Sequence, residues 1–107
     1  MNFNEYQVLA LRTASKQSND NMILNGALGL NGEAGEVADI IKKHLFQGHE
    51  LDKDKIAYEI GDVLWYCAVL AKGIGHSLDT IADMNIDKLK KRYPNGFLAE
   101  ASINRKD

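Results

Sequence analysis

A chain of 107 residues with 13 basic against 15 acidic side chains is sized for one small domain with a modest core. A net charge of −2 argues against a nucleic-acid surface, which takes a pronounced basic patch. The lone Cys67 excludes an internal disulfide. With no N-terminal apolar signal segment and no run able to span a bilayer, the expectation is a cytoplasmic protein without membrane partners.

Asn2 with Glu5 three residues on resembles a capping box, which predicts a first helix from Phe3 to about Lys16. Gln17 to Asn21 is polar and turn-forming. A second helix is predicted from near Met22 to about Phe46. Inside it Gly26, Gly29, Gly32 and Gly35 recur every third residue. Each costs about 1 kcal/mol against alanine in a helix. The series therefore predicts close helix–helix approach together with a break between two shorter helices. Gly48 is the expected C-cap, and Asp52 or Asp54 caps a third helix reaching about Gly73.

That third helix carries an apolar stripe of Ile56, Ile60, Val63, Cys67, Leu70, Ala71 and Ile74, with Trp65 roughly opposite. No charge falls between Val63 and Ala71. A helix apolar on all sides is buried on more than one, which predicts a homodimer or tetramer packed through it. Cys67, in this apolar run, reads as a structural thiol. Gly75 closes the helix and Ser77 caps a fourth, with Leu78, Ile81, Ala82, Leu89 and Tyr93 on its packing side. Pro94 stops it. The expectation is a single all-α domain over 1–107, a four- to five-helix bundle with an ordered core of about 3–97 and a C-terminal tail over 98–107.

The chemistry sits in four acids. At about 100° per residue, Glu33 lies on the shoulder of the face formed by Leu30, Ala34, Val37 and Ile41, and Glu36 is its outer neighbour. Glu59 lies just off the edge of the third helix's stripe, with Asp62 and Tyr66 further round the same side. A surface pair tied to Lys42, Lys43 or Lys55 is the plain explanation of any single acid pair. Two pairs at core edges of adjacent helices point instead to a metal site, because unneutralised carboxylates repel strongly away from bulk water. A di-iron bundle needs a histidine three residues after a glutamate. His44, His49 and His76 follow Ile41, Phe46 and Gly73 at that offset. Zinc lacks a Cys/His set. All-oxygen ligation points to Mg²⁺ or Mn²⁺, cations that keep room for water and substrate phosphates. On the fourth helix Asn85, Lys88 and Arg92 share one line, suited to a polyphosphate. There is no Walker loop to hold phosphates otherwise. His44 falls on the apolar face of the second helix and reads as a core or pocket histidine.

The segments LGLNGEAGEVADIIKK, EIGDVLWY and MNIDKLKKRYPNGF resemble the MazG-like nucleoside triphosphate pyrophosphohydrolases, an all-α class, over about Tyr6 to Phe97. The resemblance implies Mg²⁺ held by Glu33, Glu36, Glu59 and Asp62. It implies hydrolysis of a (deoxy)nucleoside triphosphate to the monophosphate and pyrophosphate, a house-cleaning of the nucleotide pool. Asn85, Lys88 and Arg92 match the family's phosphate-side positions, and Gly32 stands where the family often has the first of two adjacent glutamates. Glu33 and Glu36 are both candidates for the general base. Trp65 or Tyr66 is a candidate to stack on the base, with packing in the oligomer as the competing role for Trp65. The alternative function is a non-catalytic helical oligomer that binds or senses a nucleotide through Mg²⁺. A purely structural helical module is a third.

Overall fold

A computed structural model describes residues 1–106. The fold is all-α: helices α1 (Phe3–Leu11), α2 (Asn19–Phe46), α3 (Lys53–Gly73), α4 (Leu78–Arg92) and α5 (Ala99–Ile103), with no strand among the described residues. None of these helices is long and apolar enough to cross a membrane.

The helix starts follow local chemistry. Asn2 accepts from the Glu5 backbone N–H and its amide donates to the Glu5 carboxylate, 2.9 Å. Ser18, Asp52 and Ser77 cap α2, α3 and α4, each accepting from the N–H three residues on. Such a cap satisfies a helix N–H that has no partner within the helix and is worth about 1 kcal/mol. Gly48, Gly75 and Gly96 adopt positive φ after α2, α3 and α4, where an L side chain would be strained.

Helix α1 is shorter than predicted, ending at Leu11 rather than near Lys16. Its last carbonyls are drawn elsewhere. The Ala10 carbonyl accepts from the Thr13 hydroxyl at 2.8 Å and from the Trp65 indole N–H at 3.1 Å. The chain turns there instead of continuing the helix.

The predicted break in the second helix is absent. α2 runs unbroken for 28 residues against α3. Two of its four glycines account for this. A Cβ on Gly26 would lie 2.7 Å from Leu70 Cβ and 2.8 Å from its Cα, and one on Gly29 would meet the Tyr66 ring. Gly73 of α3 repays the approach, with an added Cβ 2.9 Å from the Ile23 nitrogen. Close backbones restore by packing what the glycines lose in propensity. Gly32 and Gly35 face open space, so packing within the chain does not explain them.

The core is small. Ala10, Ala68, Ala71 and Leu78 form it, with Tyr6, Trp65, Cys67 and Ile81 packed on it. Gln7, buried on α1, ties three elements together. Its amide donates to the carbonyls of Ala68 and His76, and its oxygen accepts from the Leu78 N–H at 3.1 Å. α4 is thereby anchored at its first turns, where Leu78 is buried.

Trp65 and the uncharged stretch of α3 are placed differently from the expectation. Ala68, Val69 and Ala71 are buried within the chain, and Trp65 turns onto α1, donating to Ala10 and to the Thr13 hydroxyl at 2.9 Å. The stretch is uncharged because α1 covers one side and α2 the other, so it is no longer the argument for an oligomer. His44 is also corrected: it is exposed, and its Nδ1 meets the His49 carbonyl at 2.8 Å at the end of the hairpin.

Apolar surface is left over elsewhere, with Leu28 75% and Phe46 80% exposed on α2. The radius of gyration is 16.9 Å, against about 13 Å for a compact chain of this length. The difference reflects α4 leaving the α2–α3 pair after its first turns: every residue from Asp83 to Lys91 is exposed.

Candidate metal centre

The α2–α3 pairing that Gly26 and Gly29 permit also sets the register of the acids. Glu33 lies one turn beyond Gly29 on α2, while Glu59 and Asp62 precede Tyr66 on α3. One carboxylate oxygen from each of Glu33, Glu59 and Asp62 lies within 4.8 Å of the others. Glu33 and Glu59 are half-buried and Asp62 is exposed. Glu59 Oε2 is buried with no hydrogen-bond partner among the described residues.

Such crowding raises the proton affinity of the group. The Glu33 carboxyl is pushed above the usual carboxylate range, first by a hydrogen bond with the Glu59 carboxyl, then by burial and by the charges of Asp62, Glu59 and Glu36. Two carboxyls can share a hydrogen bond only if one holds a proton. Replacing that proton by a cation relieves the same repulsion. An orphaned buried oxygen and an all-carboxylate donor set both fit a hard divalent cation.

The lysines that could have neutralised these acids are engaged elsewhere. Lys42 and Lys43 both reach Asp39, at 3.1 and 2.9 Å. They hold the Asp39 carboxyl below its usual range. Lys42 and Lys43 are therefore committed to Asp39 and not to the cluster.

The other sequence-derived residues are distributed as follows. Glu36 is exposed and is not among the three converging carboxylates; its charge acts weakly on Glu33 and Lys43. Tyr66 is half-buried, its ring over Gly29 and edge-on to Trp65 with centroids 4.9 Å apart. Trp65 has its indole N–H committed to α1. Asn85 and Lys88 are exposed on the departing part of α4, and Arg92 is half-buried at its end. The charges that shift Glu33 are those of Asp62, Glu59 and Glu36, all carboxylates.

Tyr6 was not singled out by sequence. Its phenol is pushed above the usual range by burial first, then by the charges of Asp62 and Cys67. It lines a cavity of about 420 Å³ with Phe3, Leu64 and Asp79. Tyr6 and Asp62 lie 56 positions apart, and no local pattern links them. Cys67 is half-buried, and burial pushes its thiol up. A protonated thiol suits packing, not attack.

Fold and cluster together define an all-α protein with three carboxylates gathered in a helical hairpin, a group able to hold a cation. The MazG nucleotide pyrophosphohydrolase domain matches residues 23–97, a span that holds all four acids and the whole of α4. The chain belongs to this family. It is also 37% identical over 82 residues to the Gene 37 protein of Mycobacterium phage L5, covering 73% of this chain and 72% of that protein. No solved structure matches the chain.

Proposed function

We propose that the protein hydrolyses nucleoside triphosphates to the monophosphate and pyrophosphate with Mg²⁺ held by Glu33, Glu59 and Asp62. The observation that carries this reading is the convergence of those three carboxylates around an unpartnered buried oxygen. Family membership supplies the reaction class. A bound Mg²⁺ supplies charge neutralisation and alignment of the substrate phosphates.

Glu36 suits the role of general base. It lies one helical turn from Glu33 but outside the converging set, so its carboxylate stays open to accept a proton from water. In the proposed step a water oxygen forms the new bond to the α-phosphorus and the α–β bridging bond breaks. The water proton passes to Glu36, and pyrophosphate leaves. Lys88 and Arg92 suit the leaving pyrophosphate, to which their charges offer charge-assisted hydrogen bonds. The ring of Tyr66, seated over Gly29 one turn beyond Asp62 on α3, suits a wall of the site. Trp65 suits anchoring of α1.

The test is a pyrophosphate-release screen over canonical and modified triphosphates with Mg²⁺. Release that requires Mg²⁺ and is lost in Glu59→Gln is the expected result. Cation-dependent nucleotide binding without any pyrophosphate release overturns the reading and identifies a nucleotide sensor.

A further inference from the structure

We infer that Gln7 is a positioning residue for the phosphate line of α4. Its buried amide fixes the direction in which α4 leaves the bundle, and so where Lys88 meets the triphosphate. This rests on the reading that Lys88 serves the triphosphate.

Among the described residues, Gln7 is the polar side chain that the core encloses, 7% exposed. Its nitrogen donates to the Ala68 carbonyl of α3 at 3.2 Å and to the His76 carbonyl, between α3 and α4, at 3.4 Å. Its oxygen accepts from the N–H of Leu78, the first residue of α4, at 3.1 Å. Packing alone asks for an apolar residue at such a place, because apolar contact is non-directional. A buried amide used at both ends sets an angle as well as a distance.

That angle is set in the frame of the acids. Ala68 lies on the same helix as Glu59 and Asp62. α1 is itself fastened to α3 by the Trp65 indole, which donates to the Ala10 carbonyl and the Thr13 hydroxyl. α1 is thus a bracket between the start of α4 and the helix that bears two of the three converging carboxylates. Asn4 adds an exposed tie, its oxygen accepting from the Asp79 N–H at 3.3 Å.

α4 then acts as a lever. Leu78 is buried and Ile81 lies on the core, but every residue from Asp83 to Lys91 is exposed. At about 1.5 Å per residue, Lys88 lies roughly 15 Å along the helix from Leu78. A swing of about 5° at the base moves Lys88 by about 1.3 Å on that lever. A misplacement of about 1 Å is enough to cost a reaction on the order of a hundredfold. The hydrogen bonds at the first turn therefore govern a contact made three turns away.

Hydrogen exchange on the wild-type protein tests the anchor. The first N–H groups of a helix have no partner within it, so protection at Leu78 reports the bond to Gln7. Slow exchange there, comparable to that of core amides in α3, is expected. Exchange at the rate of an open amide overturns the inference, whether or not the protein hydrolyses anything.

Kinetics test the positioning. Gln7→Met keeps the length of the side chain and loses both ends of the amide. It is expected to lower kcat/KM for pyrophosphate release by about ten- to a hundredfold, while keeping the Mg²⁺-dependent rise in Tm. In a Lys88→Ala background the same change is expected to cost at least about threefold less, because its effect passes through Lys88. A merely structural role lowers both backgrounds by one factor, and that outcome overturns the inference. Wild-type kcat/KM in Gln7→Met overturns it too. Gln7→Leu carries the same comparison if circular dichroism shows that Gln7→Met is unfolded. A wild-type protein that releases no pyrophosphate sinks the hydrolysis reading instead, and the exchange result at Leu78 is independent of that.

Discussion

A Cβ on Gly29 would fall within the ring of Tyr66. The bare helix surface at Gly29 is thus the seat of the aromatic that borders the acid cluster. Gly26 makes the more severe contact, because the atoms it would strike are Leu70 Cβ and backbone, at 2.7 to 2.9 Å. A tyrosine ring can rotate away, whereas a helix backbone must be displaced. Gly26→Ala is expected to lose on the order of 1–3 kcal/mol, and Gly29→Ala less, with Tyr66 reoriented. Gly32→Ala meets nothing and is expected to gain up to ~1 kcal/mol from helix propensity. Denaturant titration of the three variants checks the order.

Removing a charge from the acid cluster should stabilise the protein while disabling it. Glu33 is held above its usual proton affinity by its carboxylate neighbours, so the cation-free cluster opposes folding at neutral pH. Glu59→Gln relieves repulsion and is expected to melt higher than wild type without divalent cation, and to lose the rise in Tm that Mg²⁺ gives wild type. Glu36, outside the three, behaves differently: Glu36→Gln keeps most of the Mg²⁺-dependent rise. Thermal melts with and without chelator distinguish these outcomes.

Lys88→Ala separates phosphate from metal. Loss of a charge-assisted hydrogen bond is worth about 1.5–3 kcal/mol, which lowers kcat/KM by roughly one to two orders of magnitude. The Mg²⁺-dependent rise in Tm stays intact, since Lys88 is exposed and offers no ligand to the cation. A Mg²⁺ titration of pyrophosphate release should fail to rescue it.

Trp65→Phe keeps an aromatic ring but removes the indole N–H that donates to Ala10 and Thr13. The expected cost is about 1 kcal/mol, read as a lower denaturation midpoint. Hydrogen exchange should rise first in α1, which that bond helps to hold.

The Asp39 carboxyl is held below its usual range by hydrogen bonds from Lys43 and then Lys42. A carboxylate with a depressed folded value stabilises at pH above its unfolded value. That contribution disappears as pH falls through the folded value. Asp39→Asn should therefore lower the neutral plateau slightly and meet the wild-type curve at the lowest pH, so that its acid limb is shallower. Added salt should shrink the difference, because the groups are exposed to screening.

The sequence by itself determined that the chain is helical and where most helices begin and end, but it ran α1 on to Lys16, started α2 near Met22 instead of Asn19 and broke it where it is continuous. Capping residues at Asn2, Asp52 and Ser77, positive-φ glycines at Gly48 and Gly75, and Pro94 after α4 act over three or four residues, so local chemistry decides them. The acids, too, were legible as two pairs at core edges, since helical periodicity places Glu33 and Glu59 from spacing alone. Only the tertiary structure decided which acids converge. Glu36 and Asp62 occupy comparable offsets in their pairs, yet Asp62 turns into the cluster and Glu36 does not. The contact of α2 with α3 sets that choice, through Gly26 against Leu70 and Gly29 against Tyr66, a register that neither segment encodes alone. The same holds for Trp65, whose partners Ala10 and Thr13 lie 55 and 52 residues away and turn it inward onto α1. Position on a helix follows from local spacing, but what lies opposite that position depends on how distant segments pack.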